Sequence, residues 1–210
     1  MREYNKIDTI YERDTSGTKK LIEGKFRNEA VEFLANNTWE FTEKIDGTNI
    51  RIHWDGYGIT IGGRTERASI PAHLMNELIK LFGGETVAQI FEQKFGSTEV
   101  TLYGEGYGAK IQNGGAYRSD VSFILFDVLI GDLWLTRESV EDIAKALSID
   151  VVPIVLTGTI EEAVAFVKNK PKSTIGTADM EGVVGRPKVE LKDRRGNRVI
   201  VKIKVRDFEV

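Results

Sequence analysis

Between Trp39 and Thr65 apolar and polar residues alternate. Ile50, Ile52 and Trp54 would point one way, Asp55-Gly56 makes a turn, and Ile59 and Ile61 return, which predicts a hairpin with one buried face. Elsewhere the spacing stretches to that of a helix. Residues 26–35 read as a helix with Phe26, Ala30, Phe33 and Leu34 on one side, and residues 74–82 as another closed by Gly83-Gly84. Thr86 and Gln89 form a capping-box pattern for a helix reaching about Phe95. Two more helices are predicted over 137–147 and 160–168, the second opened by Thr159 and Glu162. Further strands are predicted over 99–105, 121–130, 181–184, 189–192 and 199–205, with Arg195-Gly196-Asn197 as the turn joining the last two. Strands often follow one another without an intervening helix, which favours antiparallel pairing. The expectation is an α+β fold: antiparallel β-sheets enclosing a cleft, with flanking helices. No repeat or linker interrupts the chain, so one domain is expected over residues 1–210.

Composition narrows the chemistry. The chain has no cysteine and only His53 and His73, which argues against thiolate metal sites and histidine-based triads. No apolar run approaches a membrane span, and Met1-Arg2-Glu3-Tyr4 does not open a signal peptide, so an intracellular, cytoplasmic protein is expected. The net charge of −3 is not that of a protein gripping a long duplex. Yet nine basic residues fall between Arg186 and Arg206 against only Glu190 and Asp193, a local surface that can guide phosphates.

Six short stretches carry candidate chemistry. In Glu43-Lys44-Ile45-Asp46-Gly47-Thr48-Asn49 a lysine ends a strand just before a glycine turn, where an amine can project while backbone approaches a ligand. An amine that attacks phosphorus must first lose its proton, which neighbouring cations and desolvation favour. Arg64, after Gly62-Gly63, can meet phosphate with its planar fork. Glu105, set among glycines, can accept from a ribose hydroxyl and shares a face with Thr101 and Tyr103. Phe126 lies opposite Phe123, Leu125 and Asp127 by alternation and can offer a ring to a purine. Glu181, before Gly182, can serve Mg²⁺. Lys202 and Lys204 share one strand face, and two adjacent ammonium groups invite an anion. Each stretch alone also reads as turn, core strand or solvated surface.

Taken in order, Lys44-Ile45-Asp46-Gly47, Arg64, Glu105, Phe126-Asp127, Glu181-Gly182 and Lys202-Ile203-Lys204 resemble the motifs of covalent nucleotidyltransferases, the superfamily of DNA ligases, RNA ligases and mRNA capping enzymes. Asn49, where DNA ligases and capping enzymes usually carry arginine, and Arg64, twenty residues beyond Lys44, resemble the RNA ligase branch typified by T4 RNA ligase 2. Residues 6–14 are also similar to bacterial and phage RNA ligase-like proteins.

The resemblance implies an ATP-grasp-like fold around a nucleotide cleft and a covalent lysine–AMP intermediate on Lys44. It implies that Lys202 and Lys204 contact the α-phosphate and that Arg64 and Glu105 hold ribose and phosphate. It further implies that Phe126 stacks on adenine with Val184 on the other side, and that Glu43, Ile45 and Asn49 line the nucleotide. Glu181, with Asp46, would organise Mg²⁺ or Mn²⁺. ATP would be the AMP donor, and RNA ends or a nicked duplex the partner, with DNA the lesser expectation. Six residues follow Lys204, where relatives continue into an OB-fold or a helical domain. The expectation is therefore a nucleotidyltransferase domain without such an appendage, to which a separate protein could lend nucleic-acid grip. The competing readings are a compact DNA ligase, an RNA-end adenylylating enzyme and a non-catalytic nucleotide-binding module.

Overall fold

The computed structural model describes residues 1–208. They form two compact units, the first made of Met1–Tyr4 with Asp46–Val152, the second beginning at Asn5–Ile45 and resuming at Pro153. The fold is mixed α+β, and almost every strand pair is antiparallel, as the alternating pattern predicts.

In the first unit a six-stranded sheet is built on Val121–Ile130, Val100–Gly108, Thr48–Trp54 and Ile59–Gly63, in that spatial order. Its outer strands are Asp150–Val151, the one parallel pairing of this sheet, and Leu133–Trp134. Ile50, Ile52 and Trp54 turn inward with Val100 and Leu102, and the helices Ala72–Phe82, Glu85–Phe95 and Arg137–Leu147 cover them. Leu74, Leu78 and Phe82, one turn apart on a helix, supply the covering stripe. Burying each such side chain contributes about 1.5–3 kcal/mol.

The strand Val121–Ile130 departs from simple alternation. Tyr103 pairs with Asp127 and Gly104 with Leu125, so Phe126 is an extra residue, a bulge. Phe123 and Leu125 face the core before it, and Val128 after it. Phe126 stands opposite Phe123 and Leu125 as expected, but Asp127 does not side with them: both Phe126 and Asp127 meet Tyr4 on the other face.

The second unit centres on a five-stranded sheet in the order Asp8–Thr9, Val201–Lys204, Gly182–Pro187, Trp39–Glu43, Ile154–Gly158. Only the pairing of Asp8–Thr9 with Val201–Lys204 is parallel. Trp39, Phe41, Val183, Val201 and Ile203 pack against Ile160, Ala163, Val164 and Val167 of the helix Ile160–Lys168. That helix carries the expected capping box of Thr159 and Glu162.

Three local expectations are corrected. Residues 26–35 are not one helix: Phe26 ends the strand Leu21–Phe26, and a short helix, Glu29–Phe33, starts where the Asn28 side chain accepts from the Ala30 and Val31 amides. The helix Glu85–Phe95 begins after Gly84 with no side-chain cap, so Thr86 lies inside it and forms no capping box with Gln89. Residues 189–192 form no strand; one bridge joins Lys192 to Arg198, and the Asp193 side chain accepts from the Arg195 and Asn197 amides to shape the turn.

Candidate functional site

The second unit gathers cations from distant sequence. The strand Trp39–Glu43 pairs with Gly182–Pro187 so that Thr42 faces Val184 and Glu43 faces Val183. Lys44 comes next, its amide donating to the Gly182 carbonyl at 2.9 Å. On the other side of Gly182–Pro187, Lys204 pairs with Gly182 and Lys202 with Val184. Directly paired residues share a face. Phe41, Val183, Val201 and Ile203 therefore enter the core, and Thr42, Val184, Lys202 and Lys204 line the opposite side.

Glu181 joins them. Lys44 Nζ donates to its Oε2 at 2.6 Å and Lys204 Nζ to its Oε1 at 2.5 Å. The side chains keep 25% (Lys44), 16% (Glu181) and 12% (Lys204) of their exposure, open enough to meet a ligand and dry enough to strengthen charge. Gly182 makes the approach feasible. Its φ is 153°, and a methyl group there would overlap the Ile203 carbonyl.

Burial pushes the Glu181 carboxyl up, but the ammonium groups of Lys44 and Lys204 outweigh it and hold it below the ordinary range. Burial lowers Lys202, and repulsion from Lys204, Lys44 and Lys6 lowers it further. A cluster with one carboxylate among these lysines carries surplus positive charge suited to phosphate.

Glu43 takes a different place. It falls on the core side of its strand, buried, where Ser173 Oγ donates to one carboxylate oxygen and the Thr174 amide and hydroxyl donate to the other at 3.0 and 2.6 Å. Ile45 is likewise buried. Their side chains are taken up by the unit's own structure.

The first unit arranges a second set. Asn49 pairs with Glu105 across neighbouring strands, on the face away from the helices, where Arg51, Tyr103 and Thr101 also stand. Phe126 shares that face through its contact with Tyr4, whose ring lies 5.1 Å from both Phe126 and Tyr103. The Asn49 Oδ1 is buried without a hydrogen-bond donor, an acceptor that a ligand could satisfy. Arg64 follows the strand Ile59–Gly63, exposed and without an ion pair among the described residues. Asp46 opens the unit with its amide donating to the Tyr117 hydroxyl at 3.2 Å. Gly47 is required sterically: a methyl group would strike the Gly106 carbonyl and the Glu105 side chain.

Lys44, Val184, Glu181, Lys202 and Lys204 thus stand together on one sheet, and Asn49, Glu105 and Phe126 on another, with Arg64 at its edge strand. Among the described residues no group of three or more His, Asp or Glu could hold a metal by itself. Sequence reasoning missed Tyr4, Arg51 and the Ser173-Thr174 clasp on Glu43. Each acts across a long sequence separation and belongs to no local pattern.

A family model described as RNA ligase matches residues 37–204. No curated protein sequence matches the chain. Among solved structures it is similar to Naegleria gruberi RNA ligase. An apo mutant of that protein aligns with a TM-score of 0.65 at 18% identity, over 84% of this chain and 51% of that one. A mutant with ATP and Mn aligns at 0.66 and 17%, over 96% and 62%. A mutant with AMP and Mn aligns at 0.64 and 17%, over 94% and 60%. The chain spans about half the length of the first of these. At such identities the likeness concerns the fold.

Proposed function

The chain belongs to the RNA ligase family, and from that premise we propose that it takes AMP from ATP onto Lys44 and passes it to a nucleic-acid 5′-phosphate, preferably of RNA. One observation carries this reading: Lys44, Glu181 and Lys204, from three separate motifs, form a single hydrogen-bonded cluster with Lys202 beside it.

In the first step the Lys44 Nζ lone pair forms a bond to the α-phosphorus, the bond to the β-phosphate bridging oxygen breaks, pyrophosphate leaves, and the amine sheds its proton. Lys202 and Lys204 are placed to offset charge growing on the α-phosphate, which is where positioned cations accelerate such transfers. Binding of that phosphate offers Lys204 a new partner and frees Lys44 from the carboxylate they share. In the second step a 5′-phosphate oxygen displaces Lys44 and leaves with AMP as a pyrophosphate-linked end. A 3′-hydroxyl then attacks that end and AMP departs.

A divalent ion fits as part of the nucleotide substrate. Mg²⁺ is commonly held by one or two carboxylates together with substrate phosphates and water, and Glu181 supplies such a carboxylate, with Asp46 as the second candidate. Its chemistry would be charge neutralisation on the phosphates. For the first unit we assign ribose and phosphate contacts to Arg64 and Glu105 and adenine stacking to Phe126; the orphaned Asn49 oxygen supports a ligand donor there. Asn49 and Arg64 support placement in the branch typified by T4 RNA ligase 2. The chain would act as a single adenylyltransferase domain, with a separate protein lending nucleic-acid grip.

The test uses ATP labelled at the α-phosphate with Mg²⁺ or Mn²⁺. Covalent label is expected on the wild type and none on Lys44→Ala; an unlabelled wild type overturns the reading. Nicked RNA and DNA duplexes then decide the strand preference.

A further inference from the structure

The second unit holds a cavity of about 570 Å³ that none of the ligase motifs touches. Tyr11 and Phe26 of its antiparallel strand pair form one wall, and the helices carrying Glu32 and Glu161 form the others. It opens on the helix side of the unit, whereas Lys202 and Lys204 line the opposite face of the sheet.

Three carboxylates, Glu23, Glu32 and Glu161, line it against one cation, Lys168. Lys168 is already spent on Glu23 at 2.5 Å. Glu32 and Glu161 have no ion-pair partner among the described residues. Tyr11 supplies an independent sign. It is more than nine-tenths buried, yet its hydroxyl has no hydrogen-bond partner there. Burial and the nearby charges of Glu23 and Glu161 raise its titration point. A phenol oxygen sunk beside two carboxylates, bonded to neither, is an acceptor site awaiting a donor.

The space selects among cations. It falls in the ~300–1,000 Å³ range of small-molecule pockets and far exceeds one ion. No group of His, Asp or Glu among the described residues could hold a metal, so the ligand is organic. The Tyr11 and Phe26 rings meet edge to face at 5.2 Å and 75°. A flat cation with several N–H groups can lie against such a ring and donate in-plane to carboxylates, which a point-charge ammonium does less well.

We propose that this cavity is a binding site for a guanidinium group, held by Glu161 and Glu32 with the Tyr11 hydroxyl as a further acceptor. The group comes either from a free small guanidine or from an arginine side chain of a polypeptide.

Calorimetric titration with argininamide, with the neutral isostere citrullinamide and with the peptide acetyl-Gly-Arg-Gly-amide tests this. Saturable binding of argininamide is expected, with none of citrullinamide. Glu161→Gln should weaken binding about tenfold, the size of one lost charge-assisted hydrogen bond. Glu32→Gln, on a different helix, should weaken it as well, so that a folding defect in one variant, seen by circular dichroism, leaves the other to decide. A peptide bound at least tenfold tighter than argininamide identifies a polypeptide source, and equal affinity a free small guanidine. No saturation, equal binding of citrullinamide, or wild-type affinity in a folded variant overturns the proposal.

Discussion

The five-stranded sheet carries its cations in the open, Lys44, Lys202 and Lys204 beside the single carboxylate of Glu181. The six-stranded sheet hides its cation completely. Arg51 is fully buried, its Nε donating to the Gly63 carbonyl at 2.7 Å and its Nη1 to the Met1 carbonyl at 2.9 Å. Glu66, itself largely exposed, lies 3.2 Å away, and Nη2 has no partner. The two arrangements put charge to different uses. A partly wet cluster with mutual repulsion is relieved when phosphate arrives, so its tension favours binding. A desolvated guanidinium clasped by backbone carbonyls has nowhere to go and serves to hold strands and chain start in one geometry.

The comparison breaks most visibly if the open cluster proves structural. Lys204→Ala and Lys202→Ala should each slow AMP transfer by about 10²–10³-fold, the typical cost of removing one preorganised charge donor. Their melting temperatures should stay close to wild type, and single-turnover labelling beside calorimetry reads both. Arg51→Met should do the reverse. It strands two carbonyl acceptors and should cost about 2–4 kcal/mol. Melting would fall by roughly 2–4 °C for each kcal/mol in a chain of this size. A melting point unchanged in Arg51→Met would remove the contrast. Gly182→Ala sharpens it from the other side: the added methyl must push the Ile203 carbonyl away, at about 1–3 kcal/mol. Slower labelling should accompany that loss, because Glu181 is displaced from both lysines.

The smallest effect concerns acid. The Glu181 carboxyl titrates lower in the folded chain than when unfolded, so the stability it contributes is present above the usual glutamate value of ~4.3 and is lost as pH falls through its depressed folded value. Glu181→Gln should flatten the acid side of the stability curve by no more than about 1 kcal/mol. Urea unfolding of the two proteins at neutral and acid pH measures it, and an identical acid slope would place the pair outside the folding balance.

Much of this was legible from residue spacing. Period-two runs gave the hairpin of Ile50, Ile52, Trp54, Ile59 and Ile61, and the helix Arg137–Leu147 begins and ends where its pattern does. Lys202 and Lys204 share a face because alternation alone requires it. The placement of Glu43 was not legible as a side-chain role. The same alternation sends it inward, but the Ser173 and Thr174 donors that make burial tolerable lie 130 residues along the chain. Nor could local pattern show the N-terminal Tyr4 donating to Asp127 at 2.7 Å, 123 residues away. The failed helix over residues 26–35 has a local cause that was readable: Asn28 is a strong helix starter, and it cuts Phe26 off from the turn that follows.

The bulge at Phe126 works like a frameshift written in backbone. Upstream of it odd-numbered residues of the strand are interior, and downstream even-numbered ones are. Deleting a single residue there would restore strict alternation, exchanging Asp127 and Val128 between water-side and oil-side. Two relatives could therefore match letter for letter around this strand and still differ in which letters are hidden, if only one of them keeps the extra residue.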